Sequence, residues 1–256
     1  METNDSRAVR TDHSNLVARV KNILLQPKAE WEVIDREPSS VGQIMRSWVL
    51  PLAAIPAIAS LIGALVFGYS FFGVTYRPGV VEAIGTAITQ YVLAIVGVYV
   101  LALIIDALAP QFGGTKNRVQ AMKVAAYSAT AAWVAGIFGL IPSLAMLGIL
   151  GLYSLYLLYL GLPRLMKAPA DKAMGYTIVT ILAAIVLAFL IGAVMAPITA
   201  LFGGGPGNMT AAQTTGTVTI PGGGELDLGK MEAAAKEMEA AAKKLEEEQK
   251  AAEAEQ

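Results

Sequence analysis

The chain contains no cysteine, so disulfides, thiolate metal sites and cysteine nucleophiles are excluded. Its one histidine, His13, stands in a polar N-terminal stretch and has no second imidazole to work with. Charged residues make up 15% of the 256, where a soluble domain carries about 25%. The net charge of −1 provides no field for nucleic acid, and none is expected as a partner. There is no Gly-x-Ser-x-Gly, no His-Glu-x-x-His and no glycine loop ending in Lys-Ser or Lys-Thr. No catalytic residue, cofactor or metal is therefore expected, and the chain does not read as an enzyme. A cleavable signal peptide is not expected either, because the first 40 residues are polar and the first apolar run begins near Trp48.

Apolar residues make up 55% of the chain and fall in long blocks. About 20 such residues, rising ~1.5 Å each, cross the ~30 Å hydrocarbon core of a bilayer. Five blocks qualify, at about 47–68, 83–107, 123–140, 141–162 and 176–202. The expected fold is all-α, a polytopic membrane bundle of five transmembrane helices with N-terminal amphipathic helices and a C-terminal soluble helix. The domain plan is a disordered tail at 1–13, cytoplasmic interfacial helices at 14–46 and the five-span membrane domain at 47–202. A Gly/Thr/Pro-rich linker at 203–224 and an Ala/Glu/Lys-rich helix at 225–256 complete it. Residues 69–82 read as an aromatic and glycine-containing loop. Pro163 reads as the end of the fourth span, and spans 3 and 4 either cross fully or form a re-entrant hairpin.

Within 14–46, Ser14 is a candidate N-cap and Leu16, Val20, Ile23 and Leu24 recur at helical spacing. Pro27 opens a second short helix carrying Trp31 and Ile34. This pair either lies flat among lipid headgroups or folds as a cap on the membrane domain. Lysine and arginine near span ends favour the cytoplasmic side. Seven precede span 1, and three stand in each of the turns between spans 2 and 3 and between spans 4 and 5. These thirteen contrast with Arg77 alone in the loops of the other side; five further lysines stand in the far C-terminal helix, beyond the distance where the rule weighs most. The N-terminus is expected in the cytoplasm and the C-terminus outside, in a bacterial inner membrane.

Few residues in the spans bear chemistry. Asp106 is the one carboxylate within a span, and is either paired with Lys116, Arg118 or Lys123 across the turn or an ion or proton site. Tyr153, Tyr156 and Tyr159 lie at steps of three. They either line a polar groove with Tyr127 and Ser128 or bond between helices and at the interface. A small-residue ridge on span 5, including Ala184, Ala188, Gly192 and Ala196, packs either in its own bundle or against a second copy. In the C-terminal helix, Met231, Met238 and Leu245 repeat every seven residues, with Leu228 three before Met231. That pattern is a short seam for self-association or a partner, or else a solvated single helix.

The stretches "QPKAEWEVI", "DALAPQFGG", "KVAAYS" followed by Trp133, "AGIFGLIP", "GLYSLYLLYLGLP" and "DKAMGYT" occur in this order. Over about residues 16–201 the chain resembles the Yip family, named for Ypt/Rab-interacting proteins, in its bacterial branch. Ala131 stands where relatives often have proline. The resemblance implies a five-span fold with a cytoplasmic N-terminus and no catalytic residues. Eukaryotic relatives bind small GTPases and support membrane traffic and shaping. The expected function is that of a non-enzymatic inner-membrane protein that organises membrane or binds protein partners or its own copies. The alternative is a small-solute or ion transporter using Asp106 and the polar residues of spans 3 and 4. A third reading has the basic N-terminal helix binding anionic lipid.

Overall fold

The computed structural model of the chain describes residues 13–71, 74–202, 217–220, 224–227 and 235–238. Among the described residues, five helical segments are long and apolar enough to cross a membrane: Val41–Val66, Val80–Phe112, Arg118–Leu140, Ser143–Leu165 and Ala170–Thr199. The chain is a multi-pass membrane protein with an all-α bundle as its membrane part. Two short helices precede the spans, α1 (His13–Leu25) and α2 (Pro27–Arg36).

The span boundaries follow local chemistry. Span 1 starts six residues before its apolar run, where the Ser40 hydroxyl accepts a hydrogen bond from the Gln43 amide and caps the helix. It passes through a π-helical turn at Met45–Val49 just ahead of Pro51. Pro56 stays inside the helix, and Gly136 of span 3 leaves room for it. A Cβ at Gly136 would stand 2.5 Å from the Cβ of Pro56. Span 3 starts at Asn117, whose side chain accepts from the amides of Val119 and Gln120.

Span 3 is interrupted at Ala129 between helical stretches Arg118–Ser128 and Thr130–Ala135, so the break forms although Ala131 is not proline. Side chains of neighbouring elements meet the groups around it. Thr130 Oγ1 accepts from the indole of Trp48, and Ser154 Oγ accepts from the Ala132 amide.

Span 4 opens with a 3₁₀-helix over Pro142–Leu152 and continues as α-helix over Tyr153–Leu165, with Pro163 inside the helix. Its sequence repeats in threes, a small residue at Ala145, Gly148, Gly151 and Ser154 followed by two others. That period matches the 3.0 residues per turn of a 3₁₀-helix. At ~2.0 Å per residue for the 3₁₀ part and ~1.5 Å for the rest, span 4 is about 42 Å long, and span 3 is about 37 Å. Both exceed the ~30 Å core, so each has the length to cross fully.

The helix does not end at Pro163 because proline loses only its own amide bond. It ends two residues later, at Leu165; Lys167 then takes a left-handed conformation (φ 55°) and the Ala168 amide bonds back to the Pro163 carbonyl.

Outside the bundle, the stretch read as a loop after span 1 forms two strands, β1 (Tyr69–Phe71) and β2 (Val74–Arg77). Two more follow span 5, β3 (Thr217–Ile220) and β4 (Gly224–Asp227). They make one antiparallel sheet in the order β1-β2-β3-β4, with Tyr76 opposite Val218. The alternation of Thr with Val218 and Ile220 explains why this part of the expected linker is strand, and residues 225–227, expected as the start of the C-terminal helix, pair with it as strand too. The sheet puts the first loop and the segment after span 5 at one end of the bundle. At the other end, the Thr115 amide donates to the Met166 carbonyl and ties together the turns after spans 2 and 4. The expected tail 1–13 lies outside the described residues apart from His13. So do Leu228, Met231 and Leu245, while Met238 is exposed in a helical fragment.

Candidate functional site

The polar chemistry of the chain converges where α1 and α2 meet spans 3 and 4. Three residues of span 3, Gln120, Lys123 and Tyr127, recur at the spacing that puts them on one helix face. Lys123 is buried, and its ammonium donates to the carbonyls of Ile34 (2.7 Å) and Glu37 (2.6 Å). Gln120 donates to the carbonyl and to Oδ1 of Asp35. The last carbonyls of a helix have no partner within it and carry partial negative charge. Span 3 thus caps the C-terminus of α2 with one cation and one amide.

The second clamp comes from the last turn of span 4. Arg164 bonds the Glu32 carboxylate and the Lys28 carbonyl, and Lys167 pairs with Asp35 at 2.6 Å. Between the clamps, Trp31 is fully buried. Its ring fills a notch left by Gly161, where a Cβ would stand 2.5–2.7 Å from three ring carbons. Trp31 and Trp48 both contact the Tyr127 ring, at centroid distances of 6.3 and 4.5 Å. Ile23 and Ile34 are buried beside them. The hairpin of α1 and α2 is a cap folded onto the bundle, and its main apolar face is not free to lie in headgroups.

Arg19 of α1 is the hub of the cap. It pairs with Glu30 (3.1 Å) and Glu37 (2.6 Å) and donates to the Tyr127 hydroxyl. Burial lowers the proton affinity of its guanidinium, and the hydrogen-bonded Glu37 carboxylate and the Tyr127 hydroxyl together more than reverse this, so the group is held above its ordinary range. It stays charged at any working pH. Outward of this hub lies an open cleft of about 560 Å³ lined by Arg19, Ala29, Glu32, Val33, Arg36 and Glu37.

The sequence-nominated residues divide. Lys123 and Tyr127 belong to the cap junction. Tyr153 reaches it too, its hydroxyl donating to the Leu24 carbonyl at 3.1 Å. Ser128 is buried with no partner for its hydroxyl. Tyr156 and Tyr159 are exposed, which suits an interfacial belt better than a groove.

Asp106 is buried, and its Oδ1 has no hydrogen-bond partner. Pairing with Lys123 does not occur, because that ammonium is turned to the carbonyls of α2, and neither Lys116 nor Arg118 replaces it. The nearby Tyr176 hydroxyl donates to the Ile105 carbonyl instead.

The span 5 ridge does not stay in its own bundle. Ala184 is half-buried, Ala188, Gly192 and Ala196 are exposed, and a Cβ at Gly192 would touch nothing within 4 Å. A row spaced by four drifts ~40° per step around a helix of 3.6 residues per turn, so it turns away from a fixed neighbour. Ile191 takes the contact with span 2, 2.8 Å from where Gly97 would carry a Cβ.

Sequence reasoning missed Arg19, Glu30, Glu37 and Gly161 as junction residues. In the sequence Arg19 stands out only as one of the seven cations before span 1, flanking the apolar stripe of the first helix. Glu30 and Glu37, seven apart and so two helical turns, were the available sign of an inward acidic stripe.

A family model described as Yip1 domain matches residues 21–218 of the chain. No curated protein and no solved structure matches it. The quoted motifs meet in space. The tryptophan of "AEWEVI" sits on the glycine of "LYLGLP". The second glycine of "QFGG", Gly114, lies where a Cβ would be 2.7 Å from the Met166 carbonyl, and Gly113 holds φ 72°.

Proposed function

The chain belongs to the Yip1 domain family, and from that premise we propose that it is a non-enzymatic inner-membrane protein that holds a protein partner on its N-terminal cap. The observation that carries this reading is the open cleft between Arg19 and the outer stripe of α2, Ala29, Val33 and Arg36. The cleft offers both charge signs and an apolar floor, and it stands on a helix clamped from both sides. Such a rigid, mixed-charge surface fits a peptide segment of a partner better than a small molecule, which calls for an enclosed, mainly apolar site. The thirteen-to-one distribution of lysine and arginine supports placing the cap in the cytoplasm and the sheet outside.

The test is photo-crosslinking in cells from a benzophenone residue at Val33, with exposed Leu182 of span 5 as the lipid-facing control. The expected result is one discrete protein adduct at position 33, absent at 182 and lost in Arg36→Glu. No protein adduct at 33, or an adduct indifferent to Arg36→Glu, overturns the reading.

A second reading, solute or ion transport, is favoured by one observation, the unpartnered buried Oδ1 of Asp106. It requires flux in proteoliposomes that falls in Asp106→Asn. Absence of flux under every gradient applied removes it.

A further inference from the structure

The tip of the α1–α2 hairpin carries a separate inference, independent of any protein partner. The hairpin from α1 through Glu37 has four cations and four acids, and the fold pairs every acid but leaves two lysines unpaired. Glu30, Glu32, Asp35 and Glu37 are all paired, with Arg19, Arg164 and Lys167. Lys21 and Lys28 remain exposed on either side of the tip, and neither pairs with an acid. Between them Leu25 is 68% exposed, and Val17 continues its stripe along α1 at 69%. A leucine left bare between two unpaired lysines has the chemistry of a headgroup–acyl boundary.

The depth of the tip agrees. The Leu24 carbonyl is held by the Tyr153 hydroxyl. From the far end of span 4 to Tyr153 the 3₁₀-helix rises only ~22 Å. Taking Pro142, the start of span 4, as the far edge of a ~30 Å hydrocarbon core puts Tyr153 several ångströms inside the leaflet nearest the cap. Tyr156 and Tyr159 then fall at the interface, where exposed tyrosines belong. The tip is thus pinned at lipid depth, while the C-terminus of α2 stands higher, at the last turn of span 4.

We propose that Lys21, Leu25 and Lys28 form an anionic-phospholipid site. The leucine enters the acyl boundary, and the two ammonium groups hold the phosphate of a lipid such as phosphatidylglycerol. The lysines lie four residues before and three after the leucine, so both long side chains can reach one headgroup level. The sequence alone leaves a flat-lying pair of helices and a folded cap both open. The fold instead presents a fixed tip, because Ile23, Trp31 and Ile34 are occupied by the bundle.

The natural absence of cysteine makes the test direct. Full-length Leu25→Cys protein is labelled with a nitrobenzoxadiazole fluorophore and reconstituted in phosphatidylcholine vesicles. Doxyl-labelled phosphatidylglycerol or doxyl-labelled phosphatidylcholine is added at equal mole fraction. A lysine near an anionic surface changes lipid occupancy by about fivefold, so quenching by the glycerol lipid is expected to exceed that by the choline lipid at least ~2-fold. The excess disappears in Lys21→Gln/Lys28→Gln, whose exposed side chains are not needed for folding, and it survives millimolar inorganic phosphate.

Equal quenching by the two lipids, absence of quenching by either, or an excess that persists in the double variant each overturn the site. An excess abolished by inorganic phosphate also overturns it, by showing a free-anion site in place of a lipid one. Purified protein contains no partner, so failure here is distinct from failure of the crosslink at Val33.

Discussion

Replacing Gly161 with alanine adds one methyl group at the most crowded contact of the cap. Its Cβ would stand 2.5 Å from Trp31 Cζ2 and 2.7 Å from two further ring carbons. Real Cβ atoms do not approach so closely, so the ring or α2 must move. Trp31 is fully buried with Tyr127 on its edge, which leaves the ring little room to retreat. Overpacking of this kind costs about 1–3 kcal/mol. Truncating the ring in Trp31→Ala costs about 3–5 kcal/mol. The two penalties share one cause, so they are not additive. With the ring gone, the three closest contacts of a Cβ at 161 are gone, and the cost of Gly161→Ala falls to within ~0.5 kcal/mol of zero.

The assay is amide hydrogen exchange of residues 27–36 in lipid nanodiscs, which reports local opening of the cap. At ~1.4 kcal/mol per tenfold, Gly161→Ala is expected to speed exchange in α2 by about 5- to 150-fold. In the Trp31→Ala background the same substitution changes exchange less than about threefold. Unchanged exchange in Gly161→Ala alone, or equal acceleration in both backgrounds, refutes the notch.

Other substitutions separate the two clamps and the glycine contacts. Lys123→Met leaves the Ile34 and Glu37 carbonyls without their donor. It should release α2 by about 1.5–3 kcal/mol in the same exchange assay, whereas Glu32→Gln, at an exposed pair, should shift it by less than ~0.5 kcal/mol. Gly136→Ala collides with Pro56 and should lower the thermal midpoint in detergent, while Gly148→Ala, with nothing within 4 Å, should leave it unchanged. Gly192→Ile should also leave the midpoint of monomeric protein unchanged, because the outer part of the span 5 ridge is open. A marked loss would show that the ridge is in contact with something. Asn117→Ala removes the cap of span 3 and should cost about 1 kcal/mol by denaturant titration.

The membrane part was legible because hydropathy reports the one constraint that governs a spanning helix, an apolar run of sufficient length. Boundaries were less legible where they depend on single polar contacts. Ser40 and Asn117 moved two spans outward from their apolar cores. Pro163 was misplaced as a terminator because the true end depends on the left-handed Lys167.

The cap junction was only half visible. Its members lie some 90 to 140 residues apart in pairs such as Lys123 with Ile34, Arg164 with Glu32 and Gly161 with Trp31. No periodicity within one helix reports such a pair. The period of three in span 4 was seen only in its tyrosines. Its small residues carry the same spacing and were the sign of a 3₁₀-helix.

The cap that α1 and α2 form is fixed on the end of the bundle where span 3 begins and span 4 ends. Double electron–electron resonance tests it most directly. Spin labels go on Val33→Cys and Lys116→Cys, both exposed positions in a chain with no other cysteine. In nanodiscs the account predicts a single narrow distance distribution that broadens in Gly161→Ala. A broad distribution in the otherwise unaltered chain would contradict it.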